Sequence, residues 1–409
     1  MTQGTASYTT AKDDYLQENY TLEIDETQVG KSRLNVFVPH VFREYEFGGL
    51  SSVLELAKYL SAFYDAVRFV SLFPIPAPED SVAIADYTRG PAKETVSLTS
   101  LAGNTPLPCH DGDIFLCSYW PSVFAWDIFA AKLRDKGRKP NPFYYFIQDW
   151  EPGFYPMGYK HMLAEATYTF REECVPIFNS IELAKFFKIK NYKFNTGYAI
   201  RPALNNALYN ILKTMHWELP AKPSNMTTVL IYGRPNQPRN CFDFIIESLE
   251  RYFASPDAID PAHLALLSVG LPHANIPFGN GATLKSLGKL SIHDYAMLLL
   301  NSHVGISLMA SPHPSYPPLE MATFGLQVIT NNYLGKDLNG THPHIVALPT
   351  LSTSRMAEAL QEALAKAHQI TKSPTKATLP TSLSKDPWLR NFELSQIPIL
   401  HAKINTPMI

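Results

Sequence analysis

Residues 304–330, VGISLMASPHPSYPPLEMATFGLQVIT, constrain the fold more than any other stretch of the chain. They read as strand, tight loop, helix, glycine stop and strand. Segment 304–309 is an apolar run of strand length, and Ser311, Pro312, His313, Pro314 and Ser315 are loop residues. The Pro317-Pro318 pair can open a helix but cannot sit inside one, because proline lacks an N–H and its ring clashes with the preceding turn. Gly325 stands where a helix C-terminus favours a left-handed residue, and 326–330 is apolar and β-branched again. Such a βαβ unit puts a loop and a helix N-terminus at the carboxyl edge of a parallel sheet. Open α/β sheets bind nucleotides at that edge, and a helix N-terminus favours phosphate. Glu320 is expected in the first helical turn. There it either complements the helix dipole or accepts hydrogen bonds from a ribose diol.

The same grammar runs through both halves of the chain. In the first half, RLNVFVP (33–39), 66–73, DIFLCS (113–118), FYYFIQ (143–148) and 175–179 read as strands. Helices are expected at 50–63, 123–133 and 159–171, with Ser180 capping one more. Segment 74–110 is rich in proline, serine and threonine and poorly periodic. The pattern breaks at 204–226 and restarts with TTVLIY (227–232), a helix over 242–253, LALLSV (264–269) and a capping box at Ser291-Ile-His-Asp294. A helix is expected over 356–367. Strands alternating with helices at this spacing imply parallel βαβ units. The expected organisation is an arm at 1–30, an acceptor domain at 31–203, a linker at 204–226, a nucleotide-sugar domain at 227–385, and a last segment at 386–409 packing back on the first domain. A chain of 409 residues exceeds the usual reach of one core, and two such domains place their ligand in the cleft between them.

Composition removes several classes of function. A net charge of −2 gives no general attraction to nucleic acid. The four cysteines, Cys109, Cys117, Cys174 and Cys241, form no CxxC pair and read as core thiols in a reducing compartment. The polar, acidic N-terminus has no apolar signal core, and no apolar run reaches the ~18 residues of a membrane span. The expectation is a cytoplasmic protein. The basic, aromatic stretch KFFKIKNYK (185–193) is compatible with a peripheral seat on a membrane, or is a solvated helix end.

The loops carry the candidate chemistry. Arg234 follows the first strand of the second half, where a guanidinium can grip a diphosphate bidentately. Arg239 lies five residues on, and Lys289, just before the capped helix, can reach the same edge. Solvated loop cations are the plain alternative. Gly48-Gly49 precede a helix, and glycine lets a backbone approach a ligand closely. The loop QDWEPGFY holds Gln148, Asp149, Trp150 and Glu151. Aromatic faces beside carboxylates suit sugar rings, and the same residues could equally form an aromatic cap. Asp111-Gly-Asp113 lies before a strand and reads as a turn. His273, His293 and His313 lack ligand spacing, so no metal is expected.

The strings HVFREYEFGGL, FIQDWEPGFY, YGRPNQPRN, LGKLSIHDYAMLL and SPHPSYPPLEMATFG, spread over residues 40–325, resemble those of WsaF-type rhamnosyltransferases within glycosyltransferase family 4. The resemblance implies a GT-B fold: two Rossmann-like doubly wound α/β domains with an interdomain cleft. It implies that Arg234 and Lys289 hold the donor diphosphate and Glu320 the nucleoside sugar, with Tyr316 nearby. Val269, Gly270 and Leu290 would line the base pocket, and Gly48 and Gly49 would close over the donor. The reaction implied moves L-rhamnose from dTDP-β-L-rhamnose to a bacterial cell-surface glycan, lipid-linked acceptors included, with no metal or cofactor. Asp149 is the candidate catalytic group near the acceptor hydroxyl, with Gln148, Trp150 and Glu151 around the acceptor sugar. Family 4 usually carries two glutamates spaced ExxxxxxxE; here the second is Glu320 and the first position is Pro312. That departure fits a different donor sugar such as a 6-deoxyhexose. A GT-B enzyme using a UDP-sugar and a non-catalytic sugar-nucleotide-binding protein remain as alternatives. A homodimer and a position at the inner face of the membrane are compatible with either.

Overall fold

The computed structural model describes residues 20–27, 30–43, 49–104, 106–169, 172–223, 225–370, 373–384 and 397–401. Gly48, most of the N-terminal arm and most of the last segment lie outside them. The chain forms two compact units.

The first unit is built on a seven-stranded parallel sheet. Its spatial order is Val96–Ser100, Ala66–Ser71, Arg33–Val38, Asp113–Cys117, Phe143–Ile147, Cys174–Phe178 and Tyr198–Ala199. Numbered along the chain, that order is 3-2-1-4-5-6-7, the doubly wound Rossmann pattern with its switch point between the first and fourth strands. The central strands are buried on both faces, which is why they read as unbroken apolar runs. Burying FYYFI costs two phenols their water, and both find partners. Tyr144 shares a 3.2 Å hydrogen bond with Tyr64 and donates to the Pro398 carbonyl, while Tyr145 meets Thr167 Oγ1 at 3.1 Å. Leu400 closes the same cluster, its N–H donating to the Tyr144 hydroxyl, and Ile397 and Leu400 join the core of this unit.

At the opposite, amino edge of this sheet Asp113 is fully buried and takes both arms of the Arg33 guanidinium at 2.6 and 2.7 Å. Arg68 and His110 stand beyond it at 3.9 and 3.6 Å. Asp111 is held by Arg138. The Asp111-Gly-Asp113 sequence is therefore a turn locked by arginines. Cys109, Cys117 and Cys174 are buried thiols outside any disulfide, and Cys241 is half-buried.

The second unit repeats the plan. Its sheet runs Ile276–Pro277, Thr283–Gly288, Leu264–Gly270, Thr227–Gly233, Val304–Ile306, Gln327–Asn331 and Ile345–Leu348. All pairs are parallel except the short first one. Without that outer strand the order is again 3-2-1-4-5-6. The strand Thr283–Gly288 was not legible in the sequence. It lies near the sheet edge and alternates buried and exposed residues, so its polar positions hide the apolar ones.

Residues 204–226, expected as a linker, contain the helix Asn206–Thr214, capped by Asn205, and the short strand Glu218–Leu219. Leu204, Leu208, Leu212 and Leu219 enter the core of the second unit. The proline cluster that suggested a linker begins only after them. The helix Ile181–Ile189, capped by Ser180 as expected, groups with the second unit rather than the first. Its Phe186 and Phe187 are buried, which takes two of the three aromatics of 185–193 out of the membrane-facing reading and leaves half-buried Tyr192. Among the described residues, no helix is long and apolar enough to cross a membrane.

Candidate functional site

Three neighbouring strands of the second sheet end in glycine at one edge. Gly233 pairs with Gly270, and Val269 pairs with Gly288. The reason for glycine is space. A Cβ on Gly270, whose φ is +131°, would stand 2.4 Å from the Gly233 carbonyl, and one on Gly233 would stand 2.1 Å from Ser268 Oγ. The register alone therefore brings Arg234 and Lys289, the residues after two of these glycines, to the same carboxyl edge. The Arg234 side chain packs on Gly270 and is half-buried, and its guanidinium makes no hydrogen bond or ion pair with the described residues. Lys289 is exposed at the end of the adjoining strand. Val269 and Leu290 belong to one apolar cluster with Tyr232, Tyr295 and Leu319.

On the other side of the switch point, the strand Val304–Ile306 is shorter than expected, and 307–315 is a loop pinned from three sides. Ala310 N–H donates to the Arg239 carbonyl at 2.7 Å, Asn331 brackets Met309 through both amide atoms, and Lys336 Nζ donates to the Met309 carbonyl at 2.8 Å. The loop ends at Ser315, held at φ +69°, a strained conformation for a residue with a Cβ. His313 Nδ1 accepts the Ser315 N–H at 3.0 Å and so steadies that turn. The helix Tyr316–Thr323 follows. Its second and third residues are Pro317 and Pro318, which leaves fewer N–H groups for a phosphate than an ordinary helix N-terminus offers. Because the helix starts at Tyr316, Glu320 lies beyond the first turn, and the dipole reading of this carboxylate loses its basis.

Glu320 is instead buried, only 8% exposed. Burial pushes its carboxyl up to about 7, with the Tyr295 hydroxyl acting the other way. Tyr295 lies on the helix Ile292–Asn301, which opens with the Ser291–Asp294 capping box. Its hydroxyl is buried and faces Glu320 without closing a well-formed hydrogen bond. Gly305 lets the Glu320 helix approach the sheet, since a Cβ there would meet Met321 Sδ at 2.6 Å. Tyr295, Gly233 and Gly305 are parts of the site that the sequence reading passed over. For Gly233 the recurrence of glycine at successive strand ends was the available signal. Tyr316 is half-buried with its ring 5.7 Å from that of His313. His273 is held by Ser268 Oγ and the Ala274 carbonyl, a structural task.

The first unit offers a second polar loop at the carboxyl end of the strand Phe143–Ile147. Gln148 Nε2 donates to the Ser118 carbonyl, and its Oε1 is buried without a hydrogen-bond partner among the described residues. The same oxygen would stand 2.8 Å from a Cβ on Gly49, so two of the expected site residues meet here. Asp149 is buried and accepts the Trp150 N–H at 2.8 Å. Half-buried Trp150 donates from Nε1 to the Tyr192 hydroxyl, which in turn donates to Glu165. Glu151 is committed elsewhere: its Oε2 accepts the Trp120 N–H at 2.7 Å and caps the helix Trp120–Asp135, which has no cap of its own. Trp120 and Tyr119 both hydrogen-bond the Tyr155 hydroxyl, so the loop is at least in part an aromatic cap. Among the described residues no three His, Cys, Asp or Glu side chains are placed to hold a metal ion.

Comparison with known proteins matches residues 33–181 to the WsaF N-terminal domain and residues 227–361 to the WsaF C-terminal domain. A curated relative, the O-antigen biosynthesis protein RfbC of Myxococcus xanthus, is 30% identical over 190 residues. That match spans 46% of this chain but only 14% of that protein's length. Among solved structures, sucrose-phosphate synthase from Thermosynechococcus elongatus superposes with a TM-score of 0.52 at 14% identity, covering 82% of this chain and 90% of that one. WaaG, a glycosyltransferase involved in lipopolysaccharide biosynthesis, gives 0.47 at 13% identity over 81% and 90%. The fold is GT-B.

Proposed function

The chain belongs to the WsaF family of glycosyltransferases, and on that premise we propose that it transfers L-rhamnose from dTDP-β-L-rhamnose to a bacterial cell-surface glycan without a metal ion. One juxtaposition carries the reading: an uncommitted guanidinium, Arg234, and a buried carboxylate, Glu320, flank the switch point of one Rossmann sheet. A nucleoside diphosphate needs both. Its phosphates call for fixed cations, and its sugar hydroxyls call for a dry acceptor.

The residues divide the work as follows. Arg234 and Lys289 meet the charge that grows on the leaving diphosphate, which is electrostatic stabilisation by groups already in place. Glu320 accepts from the nucleoside sugar. Val269, Gly270 and Leu290 form the apolar floor for the base, with Tyr316 beside the donor. Asp149, with Gln148 and Trp150, serves the acceptor from the first unit. The departure at Pro312 removes a carboxylate from the donor-sugar side and suits a sugar lacking a 6-hydroxyl.

Thermal unfolding with dTDP, UDP, GDP and their sugars tests the donor. dTDP should raise the melting temperature, since a ligand at a hundredfold over its Kd adds about 2.7 kcal/mol. EDTA should leave the gain intact. Its loss on chelation would refute the metal-free reading, and stabilisation by UDP alone would replace rhamnose by a UDP-linked sugar.

Removing the cations should separate binding from folding. Arg234→Ala should weaken dTDP binding by about 1.5–3 kcal/mol, the scale for hydrogen bonds to charged groups, and Lys289→Ala should act in the same direction. Neither should move the melting temperature of the free protein. Unchanged dTDP affinity in both variants would remove this edge as the diphosphate site.

A further inference from the structure

We propose that Tyr295 selects a 2′-deoxyribose donor over a ribose one, by engaging one oxygen of the Glu320 carboxylate so that a single sugar hydroxyl completes it. This rests on the reading above that Glu320 receives the nucleoside sugar.

The two side chains come from different helices, Ile292–Asn301 and Tyr316–Thr323, and meet under the carboxyl edge of the second sheet. The phenol ring is half-buried in the cluster that also holds Tyr232, Leu290 and Leu319, and its hydroxyl is fully enclosed. The groups acting on that hydroxyl are Glu320 and Tyr232. A carboxylate has two oxygens, and a vicinal ribose diol uses both when it binds such a group bidentately. Here a phenolic donor already faces the carboxylate from the protein side. A deoxyribose brings one hydroxyl, which leaves the other oxygen to Tyr295. A ribose brings two, and its second hydroxyl must displace the phenol or stay unpaired. Either outcome strands a buried hydroxyl, and sites matched to one hydroxyl pattern discriminate through such orphans. Tyr295 thus acts through Glu320 as a positioning and selectivity residue.

Calorimetric titration with dUDP and UDP, which differ by the 2′-hydroxyl alone, tests the idea. Wild-type protein should prefer dUDP by roughly tenfold, the scale of one hydrogen bond to a charged group. Tyr295→Phe keeps the ring and should bring the two affinities together, chiefly by a gain for UDP, with an unchanged melting temperature. Equal affinities in the wild type overturn the proposal whatever the variant does, and so does a preference that survives Tyr295→Phe. Glu320→Gln separates this from the underlying reading. If it weakens dUDP and UDP alike while the wild type shows no preference, only the selectivity falls. If it leaves both affinities unchanged, or if no nucleotide binds the wild type, the nucleoside reading falls as well.

Discussion

Glu320→Gln should make the protein more stable in mild alkali and a weaker nucleotide binder at the same time. The folded carboxyl sits at about 7 against an ordinary value of 4.5, because burial disfavours its charge. A carboxyl raised on folding contributes stability that is fully present below its unfolded value and is lost as the pH rises through the folded one. The loss therefore develops between the ordinary value and neutrality and is complete above it. At about 1.36 kcal/mol for each tenfold in proton affinity, it amounts to on the order of 3 kcal/mol. The glutamine is never charged, so it escapes this loss. Chemical denaturation should show the two proteins close at about pH 4 and the variant ahead at about pH 8.5. At the alkaline pH the variant should also bind dTDP at least about tenfold more weakly, since a charged acceptor is gone. A stability difference that ignores pH would show that Glu320 is not buried as an acid. Greater stability with unchanged binding would leave its burial real and its role unexplained. A group that costs the fold free energy and repays it only in the complex is a mark of a binding residue.

Central strands were legible because parallel sheets covered on both faces need runs such as FYYFI, DIFLC and TTVLIY, which little else accounts for. Strands at or next to the sheet edges were not. Val96–Ser100 has no fully buried residue and Thr283–Gly288 buries only Leu284 and Gly288, and serine, threonine and lysine dilute the period. The helix Asn206–Thr214 was hidden by its proline-rich neighbourhood, although Asn205 at its start is a proper cap. For the candidate site, Arg234 could be set at a sheet edge because it follows TTVLIYG, an apolar run stopped by glycine, whereas Lys289 was located only by the capping box that follows it. Glu320 was placed on the correct helix but in the wrong turn. Two prolines fix where a helix can begin only to within a residue or two, because they satisfy any position of the first turn. Tyr295 could not be found at all. Its ring follows the apolar period of its helix, and only the tertiary structure turns its hydroxyl toward a carboxylate 25 residues away.

Asp149→Asn should leave dTDP binding intact and reduce glycosyl transfer by about 10²-fold or more, the usual worth of a positioned acid–base group. Asp149 sits at the carboxyl end of a central strand of the first unit, whereas Arg234, Lys289 and Glu320, the residues proposed to hold the donor nucleotide, belong to the second. Its Oδ1 accepts the Trp150 N–H. Asparagine retains an oxygen at that position, so it can preserve this loop bond while removing the charge and the capacity to take a proton. A structural role and a chemical role thereby part company. If the carboxylate only shapes the loop, the asparagine variant should transfer at the wild-type rate, and Asp149→Ala should lose both the bond and stability. If it handles the acceptor hydroxyl, the asparagine variant alone should already be slow, with its melting temperature and dTDP affinity preserved. Transfer at the wild-type rate by Asp149→Asn would assign the loop to its other reading, an aromatic cap fastened by Glu151, Trp120 and Tyr155. The acceptor would then have to be bound by other residues of the first unit, with Gln148 beside Gly49 the next to replace.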